Sequence, residues 1–246
     1  MMRRRNLKQA ILDCLVDFYQ RRTDRLGKLD LNNLLKHKNP YLLRALGIDK
    51  PDELVESMLD SFLKEGDETS FGEALFERIA LWAAQRRGGH NSNAPGIDLE
   101  IEDSNTIHLY SVKSSPNWGN SSQWKALEQD FKDIIGRRRK SGKGIDCVVG
   151  SATGARASRS SRGQKRGLER KISGQSFWRE ISNDPEFYLK IIDSMDEKVV
   201  LNAKKDFDIE YSQALSKYRA EFKRDFCGKN GRIDWEAVVR FNSGEK

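Results

Sequence analysis

Two short segments with alternating polarity constrain the fold of this chain more than any other feature of its sequence. Residues 97–102 read IDLEIE and residues 107–113 read IHLYSVK, so apolar and polar side chains alternate in both. Alternation with a period of two predicts strands that are buried on one face. Residues 103–105 (DSN) have the composition of a turn. We therefore predict an antiparallel β-hairpin over residues 97–113.

The segments around the hairpin predict an α/β fold, in which a mixed sheet is flanked by helices. Apolar spacing and capping residues predict helices at residues 7–22, from 39–40, at 51–63, 71–86, 122–135, 177–194 and 204–225, and a short one from 234–235. GIDCVVG, at 144–150, predicts a buried strand. Residues 151–176 are rich in Ser, Gly, Arg and Lys and predict a long basic loop. We predict a helical N-terminal arm over residues 1–65 and one α/β domain over residues 66–246.

The charge balance favours a polyanionic partner. The 246-residue chain carries a net charge of +7 and has an isoelectric point near 9.2. A basic folded protein most often binds nucleic acid, although a basic protein without such a partner has the same composition. The three cysteines are far apart and form no CxxC pair, which argues against a zinc site. No apolar run approaches the length of a membrane span, so we expect a soluble cytoplasmic protein without a membrane partner.

One face of the predicted hairpin carries a candidate active site. Asp98 and Glu100 share a face of the first strand, and Ser111 and Lys113 share a face of the second. In an antiparallel pair, the residue numbers of opposed residues add up to a constant, here called the index sum. If this sum is 211, Asp98 lies opposite Lys113 and Glu100 opposite Ser111. If the sum is 209, Asp98 lies opposite Ser111. Paired carboxylates suit Mg²⁺, and a nearby lysine can orient a water molecule and stabilise a phosphoryl oxygen. A solvated strand face with an Asp–Lys pair is the alternative interpretation.

The helix predicted at residues 71–86 carries a second pair of carboxylates. Glu73 and Glu77 are four residues apart, so they lie on the same side of the helix beside small and apolar residues. We predict that Glu77 supports the site on the hairpin. Two surface glutamates paired with arginines are the alternative.

Two further segments carry candidate DNA-binding residues. The loop after Lys113 and the start of the next helix offer polar donors and one aromatic ring: Asn117, Trp118, Ser121, Ser122 and Gln123. Either Ser121 or Ser122 is expected to cap that helix, and core packing is the alternative role for Trp118. The basic loop adds cations for the phosphate backbone or for base edges: Arg156, Arg159, Arg162, Lys165 and Arg166.

The order of these features resembles the PD-(D/E)XK nucleases: a glutamate on a helix, an aspartate on one strand, a lysine on the next strand, and then a helix. Residues 95–98 (PGID) resemble the PD half of the motif with two residues inserted, and residues 111–113 (SVK) stand where (D/E)XK is expected. Longer runs are similar to the PmeII-like type II restriction endonucleases: KNPYLLRALGI (38–48), GIDLEI (96–101), VKSSPNWGNSSQ (112–123), GQSFWREIS (174–182) and RIDWEAVVRFNS (232–243).

The resemblance implies a restriction-endonuclease-like core and a Mg²⁺-dependent enzyme that cuts double-stranded DNA at a specific sequence. It implies that Asp98 and Glu100 bind the metal, that Lys113 positions the attacking water and that Glu77 assists. It also implies a homodimer and a matching DNA methyltransferase. A repair or homing nuclease of the same fold, and an inactive DNA-binding protein, are the alternative functions.

The sequence departs from the motif at one position, because Ser111 stands where the second acid is expected. Three residues are candidates for the missing carboxylate. Glu100 is favoured because one register places it opposite Ser111. Glu128 on the following helix is second, as in nucleases whose acid has moved to that helix, and Asp130 is third.

Overall fold

The computed structural model describes residues 6–138, 141–154 and 168–244. The chain divides into two compact units, each made of two segments. The sheet unit consists of Met1–Leu15 and Phe71–Asn202, and the helical unit consists of Val16–Ser70 and Ala203–Lys246. The elements follow in the order α1 (Leu7–Gly27), α2 (Leu31–Lys36), α3 (Pro40–Ala45), α4 (Pro51–Phe71), a π-helical turn (Gly72–Glu77), α5 (Arg78–Gln85), β1 (His90–Asn91), β2 (Leu99–Glu102), β3 (Thr106–Lys113), α6 (Ser121–Arg138), β4 (Gly144–Ser151), β5 (Glu169–Ser173), α7 (Gln175–Ser182), α8 (Phe187–Asp193), α9 (Glu197–Phe226) and α10 (Trp235–Asn242).

A mixed five-stranded sheet organises the sheet unit. Its strand order is β1-β2-β3-β4-β5. The pairs β1–β2 and β2–β3 are antiparallel, whereas β3–β4 and β4–β5 are parallel. The predicted hairpin and the predicted strand at 144–150 are therefore confirmed, as is the α/β class with helices flanking a mixed sheet.

Helices cover both faces of this sheet. Leu127, Phe131 and Ile134 of α6 pack against Leu109 and Val149 on one face. On the other face, the ring of Phe177 in α7 lies so close to Gly150 that a methyl group there would overlap it. Close packing of one glycine against one aromatic ring therefore fixes α7 on the sheet.

The helix predicted over residues 177–194 is two helices, α7 and α8. Asn183 ends α7 in the left-handed conformation, with φ of 60°, and its N–H donates to the carbonyl of Arg179 at 2.8 Å. Asparagine tolerates this conformation better than most residues, and Pro185 follows shortly after it. The apolar spacing alone did not reveal this break.

The prediction of a continuous loop over residues 151–176 is wrong for its last part, because Glu169–Ser173 form β5. The segment is short and mostly polar, but pairing with β4 satisfies its backbone groups. Side chains hold it as well. Arg170 Nε donates to Asp146 of β4 at 2.9 Å, and its Nη1 donates to Glu180 of α7 at 2.9 Å.

The helical unit has its own apolar core. Its buried side chains come from both segments of the chain, for example Leu34, Leu54 and Met58 from the first and Phe222 and Val238 from the second. The predicted boundary after residue 65 does not match the limits of either unit. The helical unit also includes the helices after residue 203, which pack with helices from its first segment. In the part of the chain that the structure describes, no helix is long and apolar enough to cross a membrane.

Candidate active site

The register of the hairpin decides which residues face each other at the candidate site. Leu99 pairs with Tyr110 and Glu100 pairs with Leu109, so the residue numbers of each pair add up to 209. Asp98 lies just before the paired residues, and its N–H donates to the Tyr110 carbonyl at 2.8 Å. A tight turn sets this register. The carboxylate of Asp103 accepts hydrogen bonds from the N–H groups of Asn105 and Thr106, at 2.9 and 2.7 Å. The alternative register, with Glu100 opposite Ser111, is not formed.

Asp98 and Ser111 form the centre of the site. One carboxylate oxygen of Asp98 accepts a hydrogen bond from the Val112 N–H at 2.6 Å. Burial raises the pKa of Asp98 above its ordinary value, and the charge of Lys113 and the Val112 N–H oppose this rise. Ser111 is fully buried, and its hydroxyl has no hydrogen-bond partner among the described residues. The site thus combines a half-buried carboxylate, a lysine whose charge acts on it, and an unsatisfied hydroxyl on the residue before Val112.

Glu100 is held in a different environment. It is only 3% exposed, and Ser92 Oγ donates to one of its oxygens at 2.7 Å. Arg138 at the end of α6 donates to the other oxygen at 2.8 Å. Glu100 lies two residues beyond Asp98 on β2, which corresponds to roughly 7 Å along the strand. Both of its oxygens are therefore engaged by protein groups.

Lys113 ends β3 next to an aromatic pair. Its ammonium lies 4.4 Å from the ring centre of Trp118. The Trp118 ring contacts that of Trp124 edge to face, with 5.2 Å between centroids. Trp118 is half-buried and packs against the core below α6. Trp118 therefore lies next to Lys113, as predicted, and it also packs against the core.

The first turn of α6 lies directly after this loop and is capped by Asn120. Its side-chain oxygen accepts hydrogen bonds from the N–H groups of Ser122 and Gln123, at 3.1 and 3.0 Å. Gln123 Oε1 in return accepts from the Asn120 N–H at 2.9 Å. This reciprocal arrangement is a capping box. The expectation that Ser121 or Ser122 caps the helix is therefore wrong, and both serines are exposed, as are Asn117 and Gln123.

We predict that Asn120→Ala lowers the free energy of unfolding by about 1 kcal/mol, the usual cost of losing a helix N-cap. The measurement is urea denaturation followed by circular dichroism. Asn117→Ala is the matched control, since Asn117 is exposed in the same loop and does not cap a helix. Equal stability of the Asn120 variant and the wild type would contradict the capping role.

The π-helical turn at Gly72–Glu77 approaches the end of β3. A methyl group at Gly72 would overlap the hydroxyl of Ser114, the residue that follows Lys113. Glu77 is half-buried at the end of this turn, whereas Glu73 is exposed. Both glutamates have interaction partners. π-helical turns are frequent at functional sites, where they change the direction of side chains within a helix.

The two acids of α6 lie on opposite flanks of its buried face. Glu128 is half-buried and pairs with Lys132 one turn later, at 2.8 Å. The carboxylate of Asp130 lies against Gly96, where a methyl group would overlap it. Gly96 has a φ of 70° and precedes Asp98 by two residues. Asp130 therefore faces the chain segment that leads into β2.

Other predicted site residues fall outside the described part, and some relevant residues were not predicted. Arg156, Arg159, Arg162, Lys165 and Arg166 lie outside the described residues.

The sequence did not reveal that Ser92 and Arg138 are partners of Glu100. It also missed Lys171 of β5, whose ammonium lies 3.4 Å from the ring centre of Trp124. Residues 169–173 (ERKIS) contain a single apolar residue, so apolar alternation gave no signal for Lys171. In the described residues, no group of three or more His, Cys, Asp and Glu side chains forms a ready metal site.

Comparison with known families bears on what such a site does. A family model described as type II restriction endonuclease EcoO109I matches residues 5–205. The chain belongs to this restriction endonuclease family. No curated protein sequence matches it. The prediction of a type II restriction endonuclease is confirmed, and membership of the EcoO109I family implies a hydrolase that cuts DNA. Enzymes of this family hydrolyse phosphodiester bonds.

Proposed function

We propose that the protein is a Mg²⁺-dependent endonuclease that cuts both strands of duplex DNA at a short specific sequence, with PD-(D/E)XK chemistry. The observation that carries the proposal is the position of Asp98 at the end of β3: the charge of Lys113 acts on its carboxylate, and the Val112 N–H donates to it. The narrower likeness to the PmeII-like enzymes belongs to the same proposal.

The donor set fits a magnesium ion that is held mainly by water and substrate. Mg²⁺ commonly binds proteins through one or two carboxylates, keeps several water molecules and uses substrate phosphates as further ligands. Asp98 offers one such carboxylate, and the unpartnered hydroxyl of Ser111, the residue before Val112, is a neutral oxygen on the same strand end. The ion would polarise the phosphoryl group and stabilise the charge that develops there.

The chain's own residues contribute to hydrolysis in distinct ways. The oxygen of a water molecule forms a bond to phosphorus and releases one proton to the solvent, one P–O ester bond breaks, and the leaving oxygen takes up a proton from the solvent. The ammonium of Lys113 orients this water and stabilises a phosphoryl oxygen. Trp118 restricts the position of that ammonium by a cation–π contact. In this proposal Glu77 supports the arrangement from the π-helical turn.

The second carboxylate of the site is best assigned to Asp130. The role predicted for Glu100 as a metal ligand stays a prediction, and it requires release of the hydrogen bonds from Ser92 and Arg138. Asp130 needs no such release, and its carboxylate already lies beside Gly96, close in the chain to Asp98. Glu128 lies on the other flank of α6 and is paired with Lys132.

Contacts with DNA complete the proposal. Residues at the start of α6 and in the preceding loop are suited to contacts with the DNA backbone, and the basic segment after β4 supplies cations. Those residues are Asn117, Trp118, Ser121, Ser122 and Gln123, with Arg156, Arg159, Arg162, Lys165 and Arg166. Cutting two strands suggests a symmetric homodimer, and a matching DNA methyltransferase would protect the host sequence.

Incubation of the protein with phage DNA, with Mg²⁺ and separately with EDTA, tests this function. We expect discrete fragments with Mg²⁺ and intact DNA with EDTA. A smear would indicate a repair nuclease of loose specificity, and a cut at a single locus would indicate a homing nuclease. Intact DNA whose migration is retarded by the protein would indicate an inactive DNA-binding protein. Sequencing the cut ends gives the recognition site.

A further inference from the structure

Two lysines at the candidate site form no ion pair within 4 Å in the part of the chain that the structure describes, although the charge of Lys113 acts on Asp98. Lys113 ends β3, and Lys171 lies in β5. Neither ammonium forms an ion pair there; each one instead rests on an indole ring, Lys113 on Trp118 at 4.4 Å and Lys171 on Trp124 at 3.4 Å. A cation–π contact positions an ammonium without neutralising its charge. Both lysines therefore keep the charge needed to attract an anion.

The two lysines and the two tryptophans line one narrow cleft. It has a volume of about 50 Å³, and Ser151 and Ser173 at the ends of β4 and β5 contribute to its wall. Both serines are 5% exposed. The cleft opens at the carboxyl ends of the parallel strands, where α/β sheets most often bind ligands.

The strand register relates Lys171 to the proposed catalytic pair. Ser111 pairs with Val149, and Val149 pairs with Lys171. Side chains of paired residues lie on the same face of a sheet, so Lys171 shares the face of Ser111. Two strand spacings, roughly 10 Å, separate the backbones of Ser111 and Lys171. Lys171 therefore lies two strands away from Ser111 on the same face, at the side of the cleft opposite Lys113.

We propose that this cleft binds a second phosphodiester group of the DNA strand that is cut, with Lys171 as its cation. The proposal rests on the proposed function and extends it to a residue with no assigned role. A space of about 50 Å³ admits only a few water-sized groups, such as phosphate oxygens. It is several-fold smaller than the pockets that enclose organic ligands.

Base stacking in the cleft is disfavoured by the orientation of the rings. Trp118 and Trp124 meet edge to face, with an interplanar angle of 76°, so they leave no parallel slot between them. The Trp124 face near the cleft is covered by the Lys171 ammonium. Lys171 is thus a positioning residue: it holds the strand in place while the reaction occurs at the neighbouring phosphate.

Salt dependence of DNA binding tests the proposal. A short duplex is titrated with wild type and Lys171→Gln in EDTA at several salt concentrations. We expect the slope of log K against log salt concentration to fall in magnitude by about 0.9 in the variant, the loss of one phosphate contact. Lys171→Arg should restore the slope. Lys198→Gln, at an exposed lysine in α9, is the control for charge and should leave it unchanged.

A second measurement locates the phosphate. Duplexes in which one phosphodiester at a time is replaced by a neutral methylphosphonate are bound to the wild type and to Lys171→Gln. We expect one position to weaken binding by the wild type and to have no further effect on the variant.

Parallel digestions with Mg²⁺ distinguish the proposed nuclease function from the proposed second phosphate site. If the protein does not cut DNA but the salt-dependence slope falls in Lys171→Gln, the nuclease function is contradicted and the phosphate site is supported. Cleavage by the wild type with an unchanged slope in folded Lys171→Gln would overturn the subsite alone, and a wild type that does not bind duplex DNA would overturn both.

Discussion

Replacing Asp98 by asparagine should reduce DNA cleavage about a thousandfold and leave duplex binding nearly unchanged. A lost metal ligand removes several kcal/mol of charge stabilisation from the transition state, and each 1.4 kcal/mol is a factor of ten in rate. Asparagine keeps the shape of the side chain and can still accept the hydrogen bond from the Val112 N–H. Lys113→Gln should reduce cleavage by a similar factor, because its ammonium acts on the same phosphoryl group.

Two exposed residues of α6 provide matched controls for these variants. Asp133→Asn and Lys125→Gln remove the same charges away from the hairpin face, and both should cut at near wild-type rates. Single-turnover cleavage at saturating protein measures the effect on the reaction, and a gel shift without Mg²⁺ measures binding. Rapid cleavage by either hairpin variant would show that the active site lies elsewhere.

The second large effect is expected at Asp130. Asp130→Asn should lower cleavage by about a hundredfold and raise the Mg²⁺ concentration needed for half-maximal activity, since it removes the proposed second carboxylate. Glu128→Gln should cut normally, because a surface pair such as Glu128–Lys132 contributes only about 0.3–0.5 kcal/mol. The Mg²⁺ titration is the decisive readout.

Glu100→Gln distinguishes a structural from a catalytic role for that acid. The substitution weakens a charge-assisted hydrogen bond with Arg138, so it should lower the free energy of unfolding by about 2 kcal/mol. Below the unfolding temperature, the variant should need the same Mg²⁺ concentration as the wild type. If Glu100→Gln needs more Mg²⁺ than the wild type while Asp130→Asn cuts normally, Glu100 rather than Asp130 is the second carboxylate of the site.

The hairpin and its lysine were predictable from sequence because a period of two is a local property. The register was not, since it depends on the Asp103 turn, and both index sums kept Asp98, Glu100 and Lys113 on one face. The partner of Glu100 was also hidden. Arg138 lies 38 residues away, and only the packing of α6 on the sheet brings the two together.

Two other features were beyond the reach of apolar spacing. The π-helical turn covers only the six residues Gly72–Glu77, too few for apolar spacing to distinguish it from an α-helix. β5 has only five residues and one large aliphatic side chain, Ile172. Its stability comes from pairing with β4 and from the contacts of Arg170, which are tertiary interactions.

The discontinuous make-up of the helical unit has a consequence for how the protein is synthesised. Its two segments, Val16–Ser70 and Ala203–Lys246, are separated in the chain by most of the sheet unit. Ribosomes release a chain from its N-terminus at about 5–20 residues per second. All residues of the sheet unit are therefore made while Leu34, Leu54 and Met58 still lack the partners that α9 and α10 supply. During that interval the nascent chain exposes the apolar surface that α9 and α10 later cover, and we expect chaperones to bind this surface.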